Sequence, residues 1–172
     1  MAFRRRGLIA ALASALWLAA GAGRSADPPE LRLATTTSLR DSGLLGEILP
    51  AFTTRTGIRV KVIASEGGAG LELARRGEAD LVISHDPDSE EKLLEEGVLV
   101  ARRPFAESFS GTDPVRRNLY SVLLVPPDRF QPGRIRAAEA RALFVYLVEP
   151  ATLERIGRFR AGAGPPLFHP LP

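Results

Sequence analysis

Three short apolar runs in the first hundred residues, each followed by a stretch of helical periodicity, constrain the fold more than any other feature of this chain. Residues 31–34 (LRLA), 58–64 (IRVKVIA) and 79–84 (ADLVIS) read as strands. The third is short and almost continuously apolar, the character of a strand buried on both faces. Helical patterns fill the intervals. Leu44, Leu45, Ile48, Leu49 and Phe52 share one face, with Asp41 or Ser42 as the expected N-cap and Gly57 as the stop. Pro50 is expected to kink that helix or end its regular part, because proline has no amide donor. A second helix carries Leu71 and Leu73 and stops at Gly77. A third, capped by Asp88 or Ser89 with Glu90 and Glu91 in its first turn, ends at Gly97. This alternation predicts an α/β fold built on a parallel βαβ sheet.

The second half is less regular. Residues 98–109 hold room for one more strand and a crossover, and 110–114 (SGTDP) form a turn cluster. Residues 119–125 (LYSVLLV) read as a strand ended by Pro126 and Pro127; helical stretches follow near 137–148 and 151–160, before a proline-rich tail. The organisation expected is a leader over 1–22, a loose segment over 23–30, and one α/β domain over 31–172. Within it, 31–105 is the core, 106–118 a shortened crossover, and 119–172 a final strand with helices.

Arg4, Arg5 and Arg6 precede an apolar run over 8–20, and Ala20-Gly21-Ala22 supplies a small-x-small cleavage site, which predicts a cleavable signal peptide and an exported protein. The run falls short of the ~20 apolar residues of a membrane span. Those three arginines account for the whole net charge of +3, so the remainder of the chain is balanced. A nucleic-acid partner, which calls for a basic surface, is therefore not expected. With no cysteine, disulfides, thiolate metal sites and cysteine catalysis are excluded. His85 and His169 stand too far apart for metal-ligand spacing, and the carboxylates form no interpretable pair. No catalytic residue, metal or cofactor is expected, and the chain reads as a binder rather than an enzyme. Arg102-Arg103, Glu90-Glu91 and Glu95-Glu96 read as solvated faces.

The most informative stretch is Ala34-Thr35-Thr36-Thr37-Ser38, four consecutive hydroxyls just beyond the first strand. Ligands of open parallel sheets bind at that edge. Hydroxyls and backbone amides there donate hydrogen bonds without a counter-charge, which suits a tetrahedral oxyanion. Turn formation and helix capping account for the same residues equally well. The turn Ser65-Glu66-Gly67-Gly68-Ala69-Gly70 holds the equivalent place after the second strand. Its glycines permit close approach of an anion to backbone amides, or simply make a tight turn. Ser84, His85 and Asp86 follow the third strand at the same edge, where His85 could equally make local hydrogen bonds.

These residues resemble a known family. The stretch LATTTSLRDSGLLGEILPAFTTRTGIRVKVIA and the later GEADLVISHDPDSEEKLLEEGV are similar to the substrate-binding proteins of tungstate ABC transporters, which are periplasmic binding proteins of type II fold. Asn118-Leu119-Tyr120-Ser121-Val122 and the ending Pro166-Leu167-Phe168-His169-Pro170 extend the likeness to both halves of the chain. The resemblance implies an α/β sheet like the first lobe of such a protein, with the second lobe reduced. It implies periplasmic location, an oxyanion ligand such as tungstate or molybdate, and a cognate membrane permease as partner. It maps ligand contacts onto Thr35, Thr36, Thr37, Ser38, Ser65, Gly67, Gly68 and His85. Two departures stand out. Gly67 occupies a place where the family carries Thr or Ser, and the Arg-Gly-Asp-x-Ser-Gly-Thr motif of the second lobe has no complete match near residues 108–113. An anion held by one lobe keeps part of its hydration, and each missing charged hydrogen bond costs ~1.5–3 kcal/mol. The alternative expectation is accordingly a reduced homologue that no longer transports. It would act as an interaction module or persist as a remnant, self-associating through the lobe edge the second lobe would cover.

Overall fold

The computed structural model describes residues 30–66, 68–109 and 117–172. The leader, most of the segment 23–30, Gly67 and the turn cluster lie outside the described residues. The first strand, β1 (Glu30–Thr36), runs two residues further than its apolar pattern, so Thr35 and Thr36 are strand residues. A short helix α1 (Thr37–Asp41) follows at once, with Thr36 as its N-cap. Helix α2 (Leu44–Thr56) starts afresh after Gly43. The expected single helix start at Asp41 or Ser42 is thus corrected to two helices. Ser42 serves the junction, donating to the Leu39 carbonyl at 2.7 Å and accepting from the Leu44 amide at 3.2 Å. Pro50 lies inside α2 without ending it. Five buried side chains on one face (Leu44, Leu45, Ile48, Leu49 and Phe52) hold the helix through the missing hydrogen bond.

Strand β2 (Arg59–Ser65), helix α3 (Ala69–Arg75) and strand β3 (Leu81–Ser84) complete the expected alternation, and β3 is buried at every position. Helix α4 (Pro87–Glu95) begins earlier than expected. Its cap is Asp86, which accepts from the Ser89 amide at 3.2 Å and the Ser89 hydroxyl at 2.6 Å, with Pro87 in the first turn where an absent N–H costs nothing. Strands β4 (Val100–Phe109) and β5 (Arg117–Leu124) form a long antiparallel pair. Part of the segment expected as a crossover is therefore strand, Ala106 to Phe109 pairing with Tyr120 to Arg117. Helices α5 (Ala137–Val148) and α6 (Pro150–Arg158) follow, and the tail adds strand β6 (Phe168–Pro170), which its prolines had hidden. As an edge strand it tolerates them.

The sheet order is β2-β1-β3-β5-β4-β6. β1 pairs in parallel with β2 and β3, as the alternation predicts, whereas β5, β4 and β6 join antiparallel. Strand alternation divides the apolar residues between two cores. Leu31, Leu33, Leu81, Ile83, Val122 and Leu124 face a cluster with α2, α5 and α6. Ala34, Val82 and Leu123 face a second cluster with α3 and α4. Helices thus cover both faces, and the uncovered feature is the edge at which β1, β2 and β3 end.

Candidate functional site

At that edge a cavity of about 420 Å³ opens. β1 brings Thr35 and Thr36, the start of α1 brings Thr37 and Ser38, β2 ends in Ser65, the turn into α3 contributes Gly68, and His85 follows β3. All seven of these expected residues line the one cavity; Gly67, between Glu66 and Gly68, is outside the described residues. Parallel register is what assembles them, because Thr36 stands beside Ser65 and Ala34 beside Val82. Leu71, Val82 and Ile83 supply apolar wall, and no lysine or arginine is among the described lining residues.

The hydroxyls differ in their engagement. Thr36 Oγ1 accepts from the Leu39 amide at 3.3 Å and lies 3.0 Å from Ser38 Oγ, so it both caps α1 and orients its neighbour. Thr35 Oγ1 and Ser65 Oγ are buried without any hydrogen-bond partner. Such a group ordinarily costs ~1–3 kcal/mol unless something pairs with it. The backbone of Gly70 closes over them: a β-carbon there would stand 3.3 Å from Ser65 Oγ and 3.6 Å from the Thr35 carbonyl oxygen. Gly68 holds φ +78°, which side-chain-bearing residues rarely adopt. His85 sits edge-on to Tyr120, with ring centroids 5.2 Å apart.

Three lining residues with polar side chains were not among the expected contacts. Ser84 Oγ accepts from the Asp86 amide at 3.2 Å, Asp86 spends its carboxylate on the cap of α4, and Glu66 is exposed at the rim. Their position directly after β2 and β3 was the available signal. Behind Ser84 lies a correction. Glu90, expected on a helix surface, is fully buried, and Arg102, expected on a solvated face, is largely covered with Nε 2.8 Å from Glu90 Oε2. Glu90 stands three residues before buried Leu93 on the inward face of α4, a helical spacing visible in the sequence.

The sequence profile of the PBP superfamily domain matches residues 22–123, more than half of the chain. The chain belongs to the PBP superfamily. It is 48% identical over 65 residues to the tungstate-binding protein TupA of Peptoclostridium acidaminophilum, covering 38% of this chain and 23% of that protein. A Haloferax volcanii protein named for anion binding in ABC transport is 45% identical over 74 residues, 43% of this chain and 22% of its own length. The matched region thus spans under a quarter of either relative. Among solved structures, the tungstate-binding protein TupA of Desulfovibrio alaskensis superposes with a TM-score of 0.76 at 18% identity, covering 83% of this chain and 99% of that one. The tungstate ABC transporter structure from Geobacter sulfurreducens gives 0.65 at 19% identity, covering 76% and 98%. These superpositions establish the fold. Together with the TupA match they bear out the resemblance to tungstate-transport binding proteins.

Proposed function

We propose that this chain is the exported substrate-binding component of an ABC-type oxyanion uptake system and binds a tungstate-like anion without transforming it. The observation that carries the reading is the pair of buried, unpartnered hydroxyls, Thr35 Oγ1 and Ser65 Oγ, on the wall of a cavity with no lysine or arginine among its described lining residues. A site of neutral donors suits a dianion that must later be released. A full counter-charge would add affinity through Coulomb attraction and slow release. Thr35, Thr36, Thr37, Ser38, Ser65, Gly67, Gly68 and His85 are the residues proposed to contact it, by hydroxyl, amide and imidazole donors. Delivery would be to a cognate membrane permease, after export by the leader over 1–22. The relatives named for tungstate and anion binding support the ligand class. Calorimetric titration of the folded protein with tungstate, molybdate and sulfate tests the reading. Saturable binding of an oxyanion supports it; folded protein that takes up none of the three overturns it in favour of a reduced interaction module.

A further inference from the structure

Directly beneath the cavity lies a carboxyl group that the binding of an anion does not obviously require. Glu90 is fully buried, and neither of its oxygens has a hydrogen bond. Ser84 and Ser121 are cross-strand partners on β3 and β5, both buried. Strand alternation places them with Val82 and Leu123 on the face that α4 covers. Arg102 reaches the same point from β4. Its Nε is 2.8 Å from Glu90 Oε2 but donates to Ser121 Oγ at 3.3 Å, so it supplies charge without a well-directed hydrogen bond to the carboxylate. Arg102 is there because of a bulge. Val100 pairs with Leu124 and Arg103 with Val122, so Ala101 and Arg102 together oppose Leu123 alone. Ala101 takes φ +53°, the one described non-glycine residue in the left-handed region. Such a conformation costs ~1–2 kcal/mol, and a bulge of this kind re-aims a side chain.

Ser84 links this group to the cavity. Its oxygen accepts from the Asp86 amide, so its single proton is the one it has to give. No hydrogen bond joins Ser84 to Glu90 in this structure; turned toward an ionised Glu90, the Ser84 hydroxyl would give that proton inward. A protonated Glu90 releases it to the cavity, where Ser84 is part of the wall. We propose that Glu90 is a positioning residue of the anion site, acting through the Ser84 hydroxyl, so that binding of an oxyanion is coupled to uptake of one solvent proton by Glu90. This rests on the oxyanion reading above. Burial already pushes the Glu90 carboxyl above the ordinary carboxylate value, only partly offset by the Arg102 charge and the Ser84 and Ser121 hydroxyls. An anion in the cavity adds negative charge on the Ser84 side and favours the neutral form further. The charged groups nearest Glu90 are Arg102 from β4, Glu91 on its own element, which lies 3.5 Å from Arg102 Nη1, and Asp86 at the helix cap; His85 packs edge-on against Tyr120, whose ring belongs to the core on the other face of the sheet.

The test is titration of the folded protein with sodium tungstate in two buffers of different ionisation enthalpy, from mildly acidic to mildly alkaline pH. The expected result is net proton uptake on binding, with affinity falling as pH rises by at most about tenfold per pH unit. Glu90→Gln should retain binding and lose that uptake, whereas His85→Gln should leave the Glu90 part in place. Tungstate binding with no proton exchange in the unmodified protein overturns the proposal while leaving the oxyanion reading intact. Proton uptake that persists undiminished in Glu90→Gln also overturns it. Absence of binding to any oxyanion overturns both. Should Glu90→Gln fail to fold, the same two-buffer titration of His85→Gln decides: proton uptake that persists there supports Glu90, and uptake that disappears there overturns the proposal.

Discussion

The two ends of the β1–β3 region handle buried polarity in opposite ways. At the amino end, Asp80 is fully buried and completely engaged. It accepts from the Arg32 amide at 2.8 Å, Arg32 Nε at 3.0 Å, Arg32 Nη2 at 2.5 Å and the Arg136 amide at 3.0 Å. Arg32 in turn donates to the carbonyls of Gly77 and Arg134, tying β1, the turn before β3 and the turn before α5 into one network. At the carboxyl end, the Thr35 and Ser65 hydroxyls are buried with no hydrogen-bond partner, and buried Glu90 has the Arg102 charge 2.8 Å away without a well-directed hydrogen bond. A fold that can satisfy a buried carboxylate so fully at one end has no general difficulty doing so. Unpartnered groups concentrated at the other end are what a site for an external partner looks like.

The comparison can be broken from either side. The largest effect is expected at the amino end. Asp80→Ala strands Arg32 and two amides, and should cost ~3–5 kcal/mol of stability by chemical denaturation, with oxyanion affinity of the folded protein unchanged. A large loss of affinity at equal folding would mean the two ends are not separable. Next in size is the pH dependence of stability. Glu90 ionises in the unfolded chain near the ordinary value of 4.5 and only at higher pH when folded. Between those values the folded state holds the Glu90 proton more often, so the contribution of this one group to stability is fully present below the ordinary value and is lost as pH rises through the window, by up to ~1.4 kcal/mol per pH unit. Glu90→Gln should flatten that portion of the stability–pH curve, and an unchanged slope would remove Glu90 from the account. The smallest effect belongs to Thr36, whose hydroxyl already caps α1. Thr36→Ala should lower stability by ~0.5–2 kcal/mol, measured by thermal unfolding. Thr35→Ala, which removes an unpartnered hydroxyl, should leave it unchanged or raise it.

The parallel half of the sheet was legible because its signals are local: apolar runs of strand length, helical spacing between them, and glycines at Gly57, Gly77 and Gly97 that all take positive φ. The antiparallel half was less so. β6 contains a proline and pairs with a strand some sixty positions earlier, a relation no local pattern encodes. Pro50 and Asp86 show the same limit from another side, since tertiary packing carries the helix through the proline while an N-cap two positions upstream outcompetes the expected ones. For the cavity, strand ends and hydroxyl content brought the lining residues into view, because position in a parallel sheet follows from sequence order. Glu90 and Arg102 escaped because a charge on a helix and one on a strand of the sheet it covers meet only through register and a bulge.

The most direct test of the central claim, that the carboxyl-end cavity binds an oxyanion through neutral donors, is a paired calorimetric titration with tungstate of the unmodified protein and the Thr35→Ala/Ser65→Ala double variant. The account predicts saturable binding in the former, and in the latter an affinity lower by ~1.5–3 kcal/mol for each hydrogen bond lost to the anion, at undiminished stability. Equal affinity in the two proteins would contradict it.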